Sequence, residues 1–173
     1  MPGLQPSETL RSRIQSPQLK TINERAWRED NGPVLSKLGK LYVLLTAAVI
    51  VFQVAVIAGA PVGSFTQGGS TPGVLGLVGR ITAGVSIVTL LLGCYFVAAK
   101  TGLMSFGSQS LFARAGFWFV LVMSVLGFVL NWITPSQNER LVWGPVASVL
   151  LVSVVAIAVL TRKERGQSVK NPR

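Results

Sequence analysis

The chain has 173 residues, of which 50% are hydrophobic and only 13% are Asp, Glu, Lys or Arg. Soluble domains carry about 25% charged residues, so this composition excludes an ordinary soluble domain and fits one small membrane bundle with polar ends. The formal net charge of +10 comes from 16 basic and 6 acidic residues.

Residues 1–40 form a basic segment that precedes the first long apolar stretch. Ser16 and Pro17 are a helix-start signal, with Ser as the cap and Pro at the first helical position. Residues 31–33 (Asn-Gly-Pro) predict the end of this helix. A short basic amphipathic helix of this kind lies on the membrane surface, and the alternative is that it docks on a cytoplasmic partner. Its contact face consists of apolar residues at helical spacing with an indole beside them: Leu19, Ile22, Ala26 and Trp27.

Four apolar stretches follow, each long enough to cross a bilayer: 41–60, 74–99, 111–134 and 141–160. A hydrocarbon core of about 30 Å needs about 20 helical residues at about 1.5 Å rise. Backbone polar groups find no water in hydrocarbon, so these stretches should be α-helices. The predicted fold is therefore all-α: a polytopic membrane protein whose four-transmembrane-helix domain covers 41–160, preceded by the short amphipathic helix.

The positions of the cations predict the topology. Seven lie in residues 1–40, five in the basic tail 161–173, and four in between. Because cytoplasmic flanks collect Lys and Arg, both termini should be cytoplasmic and the protein should be multi-pass in the inner membrane. The tails are expected to contact anionic membrane lipids, which argues against nucleic acid as a partner.

The connection 61–73 contains no charged residue and should face outward. It is rich in Gly, Ser, Thr and Pro, which predicts an ordered turn system rather than a strand. Pro72 is expected to lie near the first position of the second transmembrane helix.

Groups that carry chemistry are scarce. The chain has no histidine and a single cysteine, Cys94, and none of its acidic residues lies in the middle of an apolar stretch. We therefore expect no metal site, no cofactor and no catalytic residue, so the chain is not expected to be an enzyme. It also lacks the intramembrane carboxylate that small proton-coupled exporters use.

Arg80 is the exception, about six residues inside the second stretch. A charge at this depth needs a partner or must reach the interface. We expect its guanidinium to lie at the outer end and to pair with Glu139 or with backbone carbonyls of the connection. Two interpretations stay open: a structural pin between the second and last helices, or a contact for an anionic headgroup or substrate. Asn131 and Arg140, predicted near the same end, are further structural or anion-contact candidates.

Short motifs near this outer end carry a family resemblance. They are 58–63 (Ala-Gly-Ala-Pro-Val-Gly), 67–69 (Gln-Gly-Gly), 72–75 (Pro-Gly-Val-Leu), Asn131, Pro135-Ser136, Glu139-Arg140 and 143–145 (Trp-Gly-Pro). Through them the chain resembles a group of small, uncharacterised four-span inner-membrane proteins from actinobacteria, over residues 41–160. The resemblance implies the fold and the inner-membrane location, and it implies no activity.

Two functional hypotheses follow. The first is a non-catalytic accessory or structural subunit of a larger inner-membrane complex, such as a respiratory one, with other membrane subunits and lipids as partners. The alternative is a small-molecule or lipid transporter that acts as an oligomer, with Arg80 as its anion contact.

Overall fold

The computed structural model describes the backbone of residues 17–104 and 110–170, and the side chains of 31–104 and 110–162. Within these residues the protein is helical and has no strand. The four long helices are α1 (Pro17–Ile57), α2 (Leu77–Thr101), α3 (Leu111–Ile133) and α4 (Gln137–Lys170).

Each helix contains a segment long and apolar enough to span a membrane: Asn31–Ile57, Leu77–Thr101, Leu111–Ile133 and Gln137–Arg162. The predicted all-α, four-helix, multi-pass architecture is therefore confirmed.

The helices alternate in direction, so the bundle has two ends. The loop end is formed by residues 58–76 and 134–136, which join α1 to α2 and α3 to α4. The terminal end is formed by residues 31–40, 102–104 and 161–162. Helix α1 packs against α2 and α4, and α3 packs against the same two helices. The helices thus occupy the corners of a square, with α1 and α3 diagonally opposed.

Helix α1 is longer than the sequence predicts. The stop expected at Asn31-Gly32-Pro33 does not occur, and the helix continues through Pro33. A proline inside a helix donates no backbone hydrogen bond and normally also clashes with the Cβ of the preceding residue, but Gly32 has no Cβ, so this second conflict is absent. The amphipathic segment and the first membrane helix are therefore one continuous helix. The side chains of 17–30, including Leu19, Ile22 and Trp27, lie outside the described residues.

The connection at the loop end is an ordered turn system, as predicted. It contains two 3-10 turns, Gly63–Phe65 and Gln67–Gly69. The helix start expected at Pro72 is wrong: α2 begins at Leu77, with Gly76 as its N-cap in an extended conformation. The intervening residues close the loop instead, because the Gly63 N–H donates to the Gly73 carbonyl at 2.8 Å.

The core lies in two parts. The larger part, nearer the terminal end, combines buried side chains from all four helices: Leu35, Tyr42, Phe96, Val97, Phe117, Val120, Val154 and Ile157. At Gly116 the helices α2 and α3 approach so closely that a Cβ would overlap the Phe96 ring. The smaller part, at the loop end, consists of Val56, Leu75 and Ala83, so α3 contributes nothing to it.

Burial along α3 is correspondingly uneven. Its buried residues all lie in the first half of the helix: Ala113, Gly116, Phe117 and Val120. None of residues 121–133, which we call the loop-end half of α3, is buried within the described structure. This half of the helix therefore packs only partly against the rest of the chain.

Candidate functional site

The first turn of α4 is stabilised by a capping interaction whose hydrogen bonds also reach the connection between α1 and α2. The Ser136 hydroxyl, just before α4, accepts a hydrogen bond from the Glu139 N–H at 3.2 Å. A Ser three residues before a Glu is the capping-box pattern, in which the Glu carboxylate normally returns to the cap's own N–H. Here Glu139 Oε2 instead accepts from the Thr134 hydroxyl at 2.7 Å and from the Gly68 N–H at 2.8 Å.

These bonds join α4 to the connection between α1 and α2. Gly68 has φ of 81°, a left-handed conformation that glycine adopts without a steric penalty. The Ser136 hydroxyl donates to the Ser64 carbonyl at 2.8 Å, and Trp143 Nε1 donates to the Phe65 carbonyl at 2.7 Å. We call this network, made by residues 63–69 and 134–143, the loop-end cap.

Arg80 lies beside the cap and bonds elsewhere. Because α2 begins at Leu77, Arg80 is in the first turn, and its N–H donates to the Gly76 carbonyl at 3.1 Å. Its Nε donates to the Leu75 carbonyl, also at 3.1 Å. The guanidinium lies against Gly59, where a Cβ would come within 3.2 Å of Nη2.

The direct Arg80–Glu139 pair is absent from the described residues. Glu139 is occupied by the cap, and the late start of α2 brings Arg80 within reach of the carbonyl that precedes the helix. Two partners were expected for Arg80, Glu139 or a backbone carbonyl of the connection, and the guanidinium bonds to a backbone carbonyl, that of Leu75.

The two remaining candidates also bond locally. Asn131 Nδ2 donates to the Gly127 carbonyl one turn earlier in α3, at 2.7 Å. Arg140 Nη2 donates to the Thr134 carbonyl at 2.8 Å, within the cap. Arg80, Glu139 and Arg140 thus gather at the loop end, as expected, but they do not converge on a shared ligand position.

The polar side chains of the cap form hydrogen bonds mainly with backbone groups, and they do not point together into an empty binding position. Among the described residues there is no group of three or more His, Cys, Asp or Glu that could hold a metal ion. The hydrogen bonds of the cap fix the shape of the loop end.

Several residues of the cap were missed in the sequence. Ser136 was detectable, since the Ser-x-x-Glu pattern is visible before an apolar run. Gln67 was not, because its partner is distant: Gln67 Nε2 donates to the Gly79 carbonyl at 2.7 Å. Inside the bundle, the Thr46 and Gln53 side-chain oxygens of α1 are buried and have no hydrogen-bond partner among the described residues.

Comparisons with protein families, with curated proteins and with solved structures find no match to this chain.

Proposed function

We propose that the protein is a non-catalytic accessory subunit of a larger complex in the inner membrane, with both termini in the cytoplasm. The observation that carries this proposal is the incomplete packing of the loop-end half of α3. A transmembrane helix of another subunit would complete it.

The loop-end half of α3 has the residue pattern of a helix–helix interface. Gly127 and Asn131 are four residues apart, so they share one face, and both are half-buried, whereas Ser124, one turn earlier, lies beside the Tyr42 hydroxyl of α1. Nothing lies within 4 Å of the position that a Cβ would take at Gly127. In membranes, helices associate through small residues that permit close approach and through polar side chains that bond across the contact.

The loop-end cap supports the same proposal. It joins the first connection to the start of α4 by three hydrogen bonds, donated by Gly68, Ser136 and Trp143 and between 2.7 and 2.8 Å long. A partner would meet a surface that is already ordered, which lowers the conformational entropy lost on association.

One observation favours the transporter alternative. Buried oxygens without a partner are rare, and Gln53 and Thr46 place two of them inside the bundle, although the Thr46 hydroxyl lies close to Tyr42 and Cys94. An oligomer could use such groups along a polar path, although Arg80, engaged with Leu75, is not aimed at them.

Extraction in a gentle detergent followed by native sizing separates the two functions. Migration of the protein with a complex much larger than itself supports the accessory subunit. A small homo-oligomer would favour the transporter.

A further inference from the structure

A small basic cavity lies at the terminal end, between α2, α3 and α4. Its volume is about 80 Å³, and its lining includes Lys100, Arg114 and Arg162, one cation from each helix. Since roughly 10–15 Å³ suffices for one water molecule, the cavity has room for several water-sized groups, as a phosphate group requires.

The cations are held over aromatic walls. The Arg162 guanidinium carbon lies 4.8 Å from the Trp118 ring centroid, and Lys100 Nζ lies 5.7 Å from the Phe117 ring centroid. Phe117 is only 3% exposed, so one wall belongs to the core. The Thr161 hydroxyl, also in the lining, donates to the Ile157 carbonyl at 2.8 Å. The cavity therefore has aromatic walls, one of them part of the core, with cationic groups placed over them.

The two arginines lack a carboxylate partner among the described side chains. Glu139 is the one acidic residue within 31–104 and 110–162, and it belongs to the loop-end cap, at the opposite end of the bundle. Two planar guanidinium groups next to one cavity suit an oxyanion, since each can present two parallel N–H donors to phosphate oxygens.

We propose that this cavity binds the phosphate group of an anionic ligand, supplied by an anionic phospholipid of the surrounding membrane. The position favours a lipid over a free phosphate ester. Trp118 is 45% exposed beside the cavity, and indoles are typical of the membrane–water interface. Basic pockets between transmembrane helices on the cytoplasmic side are characteristic sites for anionic headgroups, and the terminal end is the side that the charge distribution predicts to be cytoplasmic.

The test uses the full chain in a neutral detergent, titrated separately with phosphatidylglycerol, phosphatidylcholine and inorganic phosphate. Trp118 emission and the midpoint of thermal unfolding are the readouts, and the difference from Trp118→Phe isolates the emission of that indole. We expect phosphatidylglycerol to change both readouts and phosphatidylcholine to change neither.

The variant Arg114→Gln/Arg162→Gln should weaken the phosphatidylglycerol response at least tenfold. The matched control, Lys37→Gln/Lys40→Gln, also removes two exposed cations at the terminal end and should leave the response within twofold of the wild type. Unfolding midpoints without added lipid show whether each variant remains folded.

Two results would support the phosphate site and identify its source. If the response to phosphatidylglycerol persists in excess inorganic phosphate, the ligand is a lipid. If inorganic phosphate alone gives the same response and also prevents the response to phosphatidylglycerol, the ligand is a soluble phosphate compound. An equal loss in the two double variants would overturn the proposal, because it would show that net charge alone attracts the lipid. The absence of any response in the wild type would overturn it as well.

Discussion

Glu139 shows how a single side chain can define one end of this bundle. Its carboxylate lies in the first turn of α4, where the helix dipole favours a negative charge. One carboxylate oxygen, Oε2, accepts hydrogen bonds from both the Thr134 hydroxyl and the Gly68 N–H. One residue therefore starts a helix and also fixes a connection distant in the sequence.

Replacing Glu139 should destabilise the cap in proportion to the hydrogen bonds removed. Glu139→Ala leaves the Gly68 N–H and the Thr134 hydroxyl without their acceptor and should lower the free energy of unfolding by about 1–3 kcal/mol, whereas Glu139→Gln keeps an acceptor oxygen and should lower it by less. Thermal unfolding in detergent measures both. Asn138→Ala, at an exposed neighbouring position, is the control and should have little effect. An equal loss for Asn138→Ala would contradict the role given to Glu139.

Arg80 and Glu139 should behave as independent sites. They have different partners, Leu75 for the guanidinium and Gly68 with Thr134 for the carboxylate. The effects of Arg80→Ala and Glu139→Gln on stability should therefore add to within about 0.5 kcal/mol in the double variant. A larger coupling energy, measured by the same unfolding assay, would indicate the direct pair, which is one of the two arrangements expected from the sequence.

The sequence predicted the end of the bundle at which these side chains lie and offered a backbone carbonyl as one of two partners for Arg80, but it did not predict the partners of Glu139. The Ser136-x-x-Glu139 pattern reveals the local half of the cap, because capping depends on residues three apart. The Gly68 partner is 71 residues away from Glu139. Such a contact depends on how the helices assemble, and the spacing of residues within a short segment gives no information about that assembly.

At the scale of the element, α3 differs between its two halves. Gly116 lies against the buried Phe96 ring, which in turn packs edge-on against Phe112 with centroids 5.3 Å apart. Gly127, on the same helix, has open space where a Cβ would be. One glycine is required by internal packing, and the other is not.

The two glycines give a matched pair of substitutions. Gly116→Ala should destabilise the isolated protein by about 1–3 kcal/mol, because the Phe96 ring must move within a filled core. Gly127→Ala should be neutral or stabilising by up to about 1 kcal/mol, since alanine favours the helix and meets no neighbour. The midpoints of thermal unfolding in detergent measure both effects. A larger drop in the midpoint for Gly127→Ala than for Gly116→Ala would refute the packing described for α3.

Element boundaries were the least predictable part of the fold. The apolar stretches located all four helices, since hydrophobic length reports directly on membrane crossing. Local stop and start signals failed at 31–33 and at Pro72. In the first case Gly32 has no Cβ to clash with the ring of Pro33, which removes one of the reasons why proline ends a helix. In the second, closure of the connection by the Gly63–Gly73 bond delays the helix.

For the whole molecule, the charge distribution predicts which end faces the cytoplasm. In a Cys94→Ala background, Ser70→Cys at the loop end should react with an impermeant thiol reagent added from outside, and Lys37→Cys at the terminal end should not. Both positions are exposed. Labelling of Ser70→Cys solely from the inside would reverse the topology.

In our proposal, another subunit completes the loop-end half of α3. Native sizing after gentle extraction should place the wild type and Val125→Leu, altered at an exposed position of the same helix, in one large complex. Gly127→Leu fills the open face and should release the protein as a small species whose unfolding midpoint is not lowered. If Gly127→Leu stays in the large complex, or if the wild type itself migrates as a small homo-oligomer, the claim is wrong.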